Sequence, residues 1–227
     1  MGFLGILMLD TAFPRVLGDA GNPASFPYAA RTLVVADAGS LDIVRDGVPD
    51  PALVARFCAA AKQLETEGAG AIISTCGFLV QVQDQIAAAV NIPVMLSALS
   101  LYPDIRRDHR LGKIGILTAS APGLGARALA AAGINRADVA IRGMQDCPAF
   151  ASAILCAKAD QPQTLDTPAI GRFAVQQARS ILADHPDTQA FLLECGNLPP
   201  YAKDIAKATG RPVHSILDAA NRLMGKS

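Results

Sequence analysis

The sequence has no excess of either charge: 20 Lys and Arg stand against 20 Asp and Glu in 227 residues. No run of Lys and Arg approaches the density that a phosphate backbone demands, which argues against nucleic acid as a partner. Long hydrophobic runs are also missing. Mean hydropathy is positive, but the excess is spread over alanines and short Val/Ile/Leu runs. None nears the roughly 20 apolar residues of a membrane span, so no membrane partner is expected. The apolar start through Leu9 lacks a basic n-region and a small-residue cleavage site, so it reads as a buried first strand and the expected location is the cytoplasm.

The five cysteines, Cys58, Cys76, Cys147, Cys156 and Cys195, are odd in number and show no CxxC spacing. That argues against a disulfide framework and a structural zinc site, and leaves free thiols, most of them buried as small hydrophobes. Gly123-Leu124-Gly125 is not followed by the rest of a dinucleotide fingerprint, so a Rossmann cofactor is rejected. Neither a metal nor a cofactor is expected.

What the chain does contain is a repeat. Gly5-Ile6-Leu7 recurs as Gly115-Ile116-Leu117 at an offset of 110 residues. Cys76-Gly77 recurs as Cys195-Gly196, and Pro93-Val94 as Pro212-Val213, both at an offset of 119. Markers in the same order, two of them in one register, indicate a duplicated unit.

The pattern within each half agrees. Apolar runs suited to buried parallel strands occur at Leu4 to Leu9, Leu33 to Ala36, Ala71 to Ser74 and Val94 to Leu96. The second half offers Ile114 to Leu117, Val139 to Ile141, Ala190 to Leu193 and Val213 to Ile216. Helical periods lie between them: Leu53, Val54, Phe57, Cys58, Ala61 and Leu64 form one face from Pro51 to Gly68, and Ile170, Phe173, Ala174 and Ile181 another before His185-Pro186. Shorter helices are expected from Gln85 to Ala89 and from Tyr201 to Ala208. The predicted fold is α/β: two pseudo-symmetric doubly wound lobes, each with a mainly parallel four-stranded sheet. Residues 1–102 form the first lobe and 103–215 the second. The last helix, Ile216 to Met224 within 216–227, packs back on the first lobe.

In open parallel sheets ligands bind beyond the carboxyl ends of the strands, where both repeated cysteines fall. A thiol there feels a helix N-terminus and unpaired backbone N–H groups, which lower its pKa and make it a usable base. The glycine after each cysteine leaves room for a ligand to approach the backbone, whose N–H groups bind a carboxylate. Two lobes facing each other bring the thiols to one cleft from opposite sides. A carbon acid between them can lose a proton to one sulfur and regain it from the other, inverting a stereocentre without a cofactor.

Thr75-Cys76-Gly77, Glu194-Cys195-Gly196-Asn197, the repeated Gly-Ile-Leu strand starts and Leu117-Thr118-Ala119-Ser120 resemble the aspartate/glutamate racemase superfamily, over essentially the whole chain. Hydantoin and allantoin racemases, maleate isomerase and arylmalonate decarboxylase belong to it. The resemblance implies two cysteines as acid and base, substrate carboxylates held by the loops after the first strand of each lobe, and no pyridoxal phosphate. Carried onto this chain, Cys76 and Cys195 are the catalytic pair, with Thr75, Gly77, Phe78, Gly196 and Asn197 as neighbouring binding groups. Asp10 and Thr11, and Thr118 and Ser120 after the duplicate strand, are further candidates. The sequence departs from the amino-acid racemases in having Cys195-Gly196-Asn197-Leu198 where Cys-Thr-Glu or Cys-Thr-His is common, and in lacking a Gly-Gly-Met-Gly-like stretch in the loop from Asp10 to Asn22.

Other residues have plainer readings. Cys58, Cys147 and Cys156 are unmatched across the repeat and read as structural. His109, His185 and His214 are unmatched too, and read as surface or core residues. Asp10 suits helix capping as well as binding an amine or orienting a loop. Tyr201 suits packing as well as donating to a ligand. Glu194 could raise the pKa of its neighbour or bind an ammonium group, but strand alternation turns it away from Cys195. The leading expectation is racemisation or epimerisation of an amino acid or related small carboxylate. The alternatives are lyase, decarboxylase or cis-trans isomerase chemistry of the same superfamily, dimethylsulfoniopropionate lyases included, or a two-lobed small-molecule binding protein. A homodimer or higher homo-oligomer is a further expectation.

Overall fold

The computed structural model describes residues 2–226; Met1 of the expected first lobe and Ser227 of the expected last helical segment lie outside them. Eight strands form: β1 (Phe3–Leu9), β2 (Ala30–Val35), β3 (Ala69–Ser74), β4 (Val94–Met95), β5 (Ile114–Thr118), β6 (Val139–Gly143), β7 (Ala190–Leu193) and β8 (Val213–His214). They pair in two sheets of order β2-β1-β3-β4 and β6-β5-β7-β8, with every pairing parallel. The identical order at the two ends of the chain is the repeat expressed in three dimensions. Residues of β3, β5 and β7 are buried almost without exception, which is why these segments read as continuous apolar runs.

The α-helices are α1 (Ser40–Ile43), α2 (Pro51–Thr66), α3 (Gln83–Ala87), α4 (Tyr102–Asp108), α5 (Ala126–Ala131), α6 (Pro148–Ile154), α7 (Thr167–Asp184), α8 (Ala202–Thr209) and α9 (Ile216–Leu223). The longest start as helices should. Asp50 accepts from the Ala52 N–H with Pro51 in the first turn, and Asp166 accepts from the Ala169 N–H with Pro168 in the first turn. On α2 the buried face is Leu53, Val54, Phe57, Ala60, Ala61 and Leu64, a helical stripe laid on β1, β2 and β3.

The expected strand from Val213 to Ile216 is shorter, because Ser215 and Asp218 form a capping box that starts α9 at Ile216. After Cys76 the chain winds into a 3-10 turn, Gly77–Val82, before the short α3, which is the helix expected from Gln85 to Ala89 begun two residues earlier and ended at Ala87. A second 3-10 turn, Pro199–Tyr201, precedes α8.

The segments that follow the fourth strand of each sheet cross over. Helix α9 packs on β3 and β4 of the first sheet, while the 3-10 turn Ala98–Leu101 packs on β7 of the second. This reciprocal exchange clasps the sheets together with the ends of β3 and β7 facing each other. No helix among the described residues is long and apolar enough to cross a membrane.

Candidate active site

The two Cys-Gly turns meet across the pseudo-two-fold axis. A Cβ on Gly77 would lie 2.3 Å from the Glu194 backbone oxygen, and one on Gly196 would lie 2.5 Å from the Thr75 backbone oxygen. Thr75 and Glu194 are themselves equivalent, 119 residues apart. Each glycine therefore accommodates the residue before the other lobe's cysteine, whereas the sequence suggested that it left room for a ligand. The missing side chains let the strand ends interlock.

That interlock encloses a cavity lined by both thiols, with Leu9, Thr11, Phe13, Arg15, Ser40, Val44, Thr75, Gly77, Phe78, Ala119, Ile154, Glu194 and Asn197 completing its wall. Its volume for water centres is ≈ 20 Å³, enough for about one water. A space of that size does not hold a substrate-sized molecule in this conformation. The more spacious hollow beside α7 and α8, ≈ 1180 Å³, contains neither cysteine and is an open surface groove.

Of the residues singled out in the sequence, Cys76, Cys195, Thr11, Thr75, Gly77, Phe78 and Asn197 line the cavity, while Asp10, Thr118, Ser120 and Gly196 do not. Asp10 pairs with Lys158 at 2.5 Å and accepts from the Asp37 N–H; the Lys158 hydrogen bond holds its pKa below the usual value. It ties the β1 loop to the second lobe and caps no helix. Thr118 is fully buried and donates to Glu194 Oε2 at 2.8 Å. Ser120 accepts from the Gly123 N–H within its own turn. Thr75 Oγ1 accepts from the Leu9 N–H at 3.2 Å, securing the end of β1. None of Cys58, Cys147, Cys156 or the three histidines lines the cavity, and Tyr201 packs against Gly171.

Two residues carry more of the site than the sequence discloses. Arg15 stands in the loop after β1, its guanidinium 4.3 Å from the Phe13 ring centroid. It donates to Thr11 Oγ1 at 2.8 Å and to Asp19 Oδ1 at 3.2 Å. Buried Asp19 accepts in turn from Asn197 Nδ2 at 2.7 Å, and Asn197 Oδ1 accepts from the Cys195 thiol at 3.4 Å. A single polar chain thus runs from the cavity's guanidinium to one of its sulfurs. The one available signal for Arg15 is a lone basic residue in a loop of the kind expected to hold carboxylates. Glu194 is the second such residue. Strand β7 ends at Leu193, so alternation no longer governs Glu194, and its carboxyl faces the cavity with both cysteines.

The thiols are not acidified. Burial, then the neighbouring Glu194 carboxylate, pushes Cys76 up to about 12, against the opposing pull of the Phe78 and Leu79 N–H groups and Arg15. The same two causes push Cys195 well above its ordinary value. The expected acidification fails because desolvation in a closed pocket outweighs a few backbone donors at a short 3-10 turn. Burial likewise raises Glu194 to about 7, opposed by its bonds to Thr118 and Ala119. Among the described residues no group of three or more His, Cys, Asp or Glu is placed to hold a metal ion.

No protein-family model matches the chain. It is 31% identical over 227 residues to a dimethylsulfoniopropionate lyase of Durusdinium sp. clade D, covering 96% of this chain and 72% of that protein. Lyases of the same name from Emiliania huxleyi match at 27–30% identity, and the chain spans 42–68% of their length. Among solved structures, unliganded arylmalonate decarboxylase superposes with a TM-score of 0.62 at 16% identity, covering 99% of this chain and 93% of that one. Allantoin racemase from Klebsiella pneumoniae gives 0.60 at 15%, covering 99% and 89%. The solved structures share the fold, the curated relatives share the sequence as well, and the chain belongs to the dimethylsulfoniopropionate lyase family.

Proposed function

We propose that this enzyme is a lyase that removes a proton from the carbon next to a carboxylate and expels a leaving group from the next carbon. Dimethylsulfoniopropionate is the substrate of choice. The observation that carries the reading is the enclosure of Cys76, Cys195 and Arg15 in one buried cavity, in a chain related to lyases of that name. Arg15 receives the carboxylate, since its position in the β1 loop and its engagement by Thr11 and Asp19 hold a planar donor group ready for two oxygens.

Cys76 is assigned as the base. The Phe78 and Leu79 N–H groups and Arg15 all favour its thiolate. Cys195 has one backbone N–H, that of Asn197, favouring its thiolate. Against this, its thiol donates a hydrogen bond to Asn197 Oδ1, an amide oriented by Asp19, and a donated hydrogen bond favours the neutral thiol; Cys76 has two such N–H groups and Arg15. The reactive form is the minority thiolate of Cys76, its S–H proton first given up to bulk solvent; that thiolate takes the α-proton and the C–H electrons form the carbon–carbon double bond. The C–S bond breaks with its electron pair on sulfur, releasing neutral dimethyl sulfide and acrylate.

A second reading, 1,1-proton transfer by an amino-acid racemase, is favoured by the presence of the second thiol, Cys195, in the same cavity. Proton NMR in deuterium oxide with dimethylsulfoniopropionate, amino acids and hydantoins separates the two. Olefinic product that vanishes in Cys76→Ala supports the lyase. Exchange at Cα with inversion, abolished in both Cys76→Ala and Cys195→Ala, supports the racemase.

A further inference from the structure

Glu194 is 1% exposed, and its Oε1 has no hydrogen-bond partner among the described residues. Its other oxygen is held by Thr118 Oγ1 at 2.8 Å, which fixes the carboxyl in the cavity wall. A buried carboxylate oxygen without a donor is costly, and no basic side chain among the described residues hydrogen-bonds to or pairs with it. The charged and titratable groups that share the cavity wall with it are the Cys76 thiol from the turn after β3, the Cys195 thiol beside it, and Arg15 from the loop after β1, with Asp19 behind Arg15. Arg15 is engaged by Asp19 and Thr11, and the thiols are neutral.

We infer that Glu194 is the recognition site for a positive charge on the substrate, so that the cavity selects zwitterions carrying a carboxylate at Arg15 and an onium group at Glu194. The inference rests on the lyase reading for the identity of the reaction but not for its test. The aromatic ring of Phe78 in the same wall suits a methylated cation, which rings attract through their π-faces; the Phe13 ring already carries the Arg15 guanidinium. Dicarboxylates fit poorly, because a second anion would face Glu194.

The same contact bears on the thiol. The Glu194 carboxylate is, after burial, the leading cause of the high Cys76 pKa. A cation seated against Glu194 offsets that charge and lowers the cost of forming the thiolate. The substrate thus contributes to activating its own base.

Isothermal titration with two unreactive ligands tests this without turnover: 3-(trimethylammonio)propionate, and 4,4-dimethylpentanoate, its isostere with an uncharged tert-butyl head in place of the onium group. The wild-type protein at about pH 8, above the raised Glu194 value, binds the onium ligand at least about tenfold more tightly, and Glu194→Gln abolishes the preference. At about pH 6, where Glu194 is protonated, onium binding releases close to one proton, read from buffers of different ionisation enthalpy. This second measurement needs only the wild-type protein. Equal affinity for the two ligands, binding of neither, onium preference retained in Glu194→Gln, or no proton release would each overturn the inference. If the preference holds and dimethylsulfoniopropionate is not cleaved, the lyase reading fails while this one stands. Cleavage by Glu194→Gln with unchanged KM gives the converse.

Discussion

Glu194 makes the folded protein bind a proton that the unfolded chain releases, and replacing it with glutamine should expose that cost as a function of pH. Its carboxyl is raised from 4.5 to about 7 by burial, so folding carries a protonation penalty once the unfolded chain ionises. The stability contribution of the group is complete below the unfolded value and disappears as pH rises through the folded one. A shift of this size corresponds to about 3 kcal/mol. A glutamine side chain at this position keeps an acceptor for Thr118 and has no charge to bury. Urea unfolding of wild type and Glu194→Gln should therefore show a difference that grows in favour of the variant by about 3 kcal/mol between roughly pH 4.5 and pH 7, then levels off. Both cysteines stay protonated across that window, so they cancel in the comparison. A pH-independent difference would refute the placement of an ionisable carboxyl in a closed cavity.

Four further outcomes follow from the same geometry. Gly77→Ala and Gly196→Ala each drive a Cβ into the opposite lobe's strand end, and should destabilise by about 1–3 kcal/mol in a thermal melt. Cys76→Ser should lower elimination by at least about 10³-fold, and Cys195→Ser by a much smaller factor, in steady-state assays. Arg15→Lys should raise KM for carboxylate substrates by about tenfold or more, because a single ammonium replaces a planar fork. Lys158→Ala removes an exposed partner of Asp10, and urea unfolding should register a change below about 1 kcal/mol.

Much of this architecture is legible in the sequence because its signals are periodic or repeated. Ile114 to Leu117 reads as a buried strand since burial on both faces leaves no polar alternation, and it lies in the interior of its sheet. Register pairs Cys76 with Cys195, and the fold brings them to one cavity. What the sequence does not disclose depends on how the lobes meet. The glycines after the cysteines signal an open backbone, yet only the tertiary interlock shows that the opposite lobe fills that space. Strand alternation points Glu194 away from Cys195, but that rule lapses one residue beyond the last ladder pair. The pKa of Cys76 reverses direction because a helix-start argument carries no information about desolvation, and desolvation decides it.

The most direct test of the central claim is headspace detection of dimethyl sulfide from dimethylsulfoniopropionate, run with the wild-type protein and with Cys76→Ser. The account predicts sulfide release in step with acrylate from the wild type, and loss of both in the variant. Release undiminished by Cys76→Ser, or none from a folded wild-type protein, would contradict it.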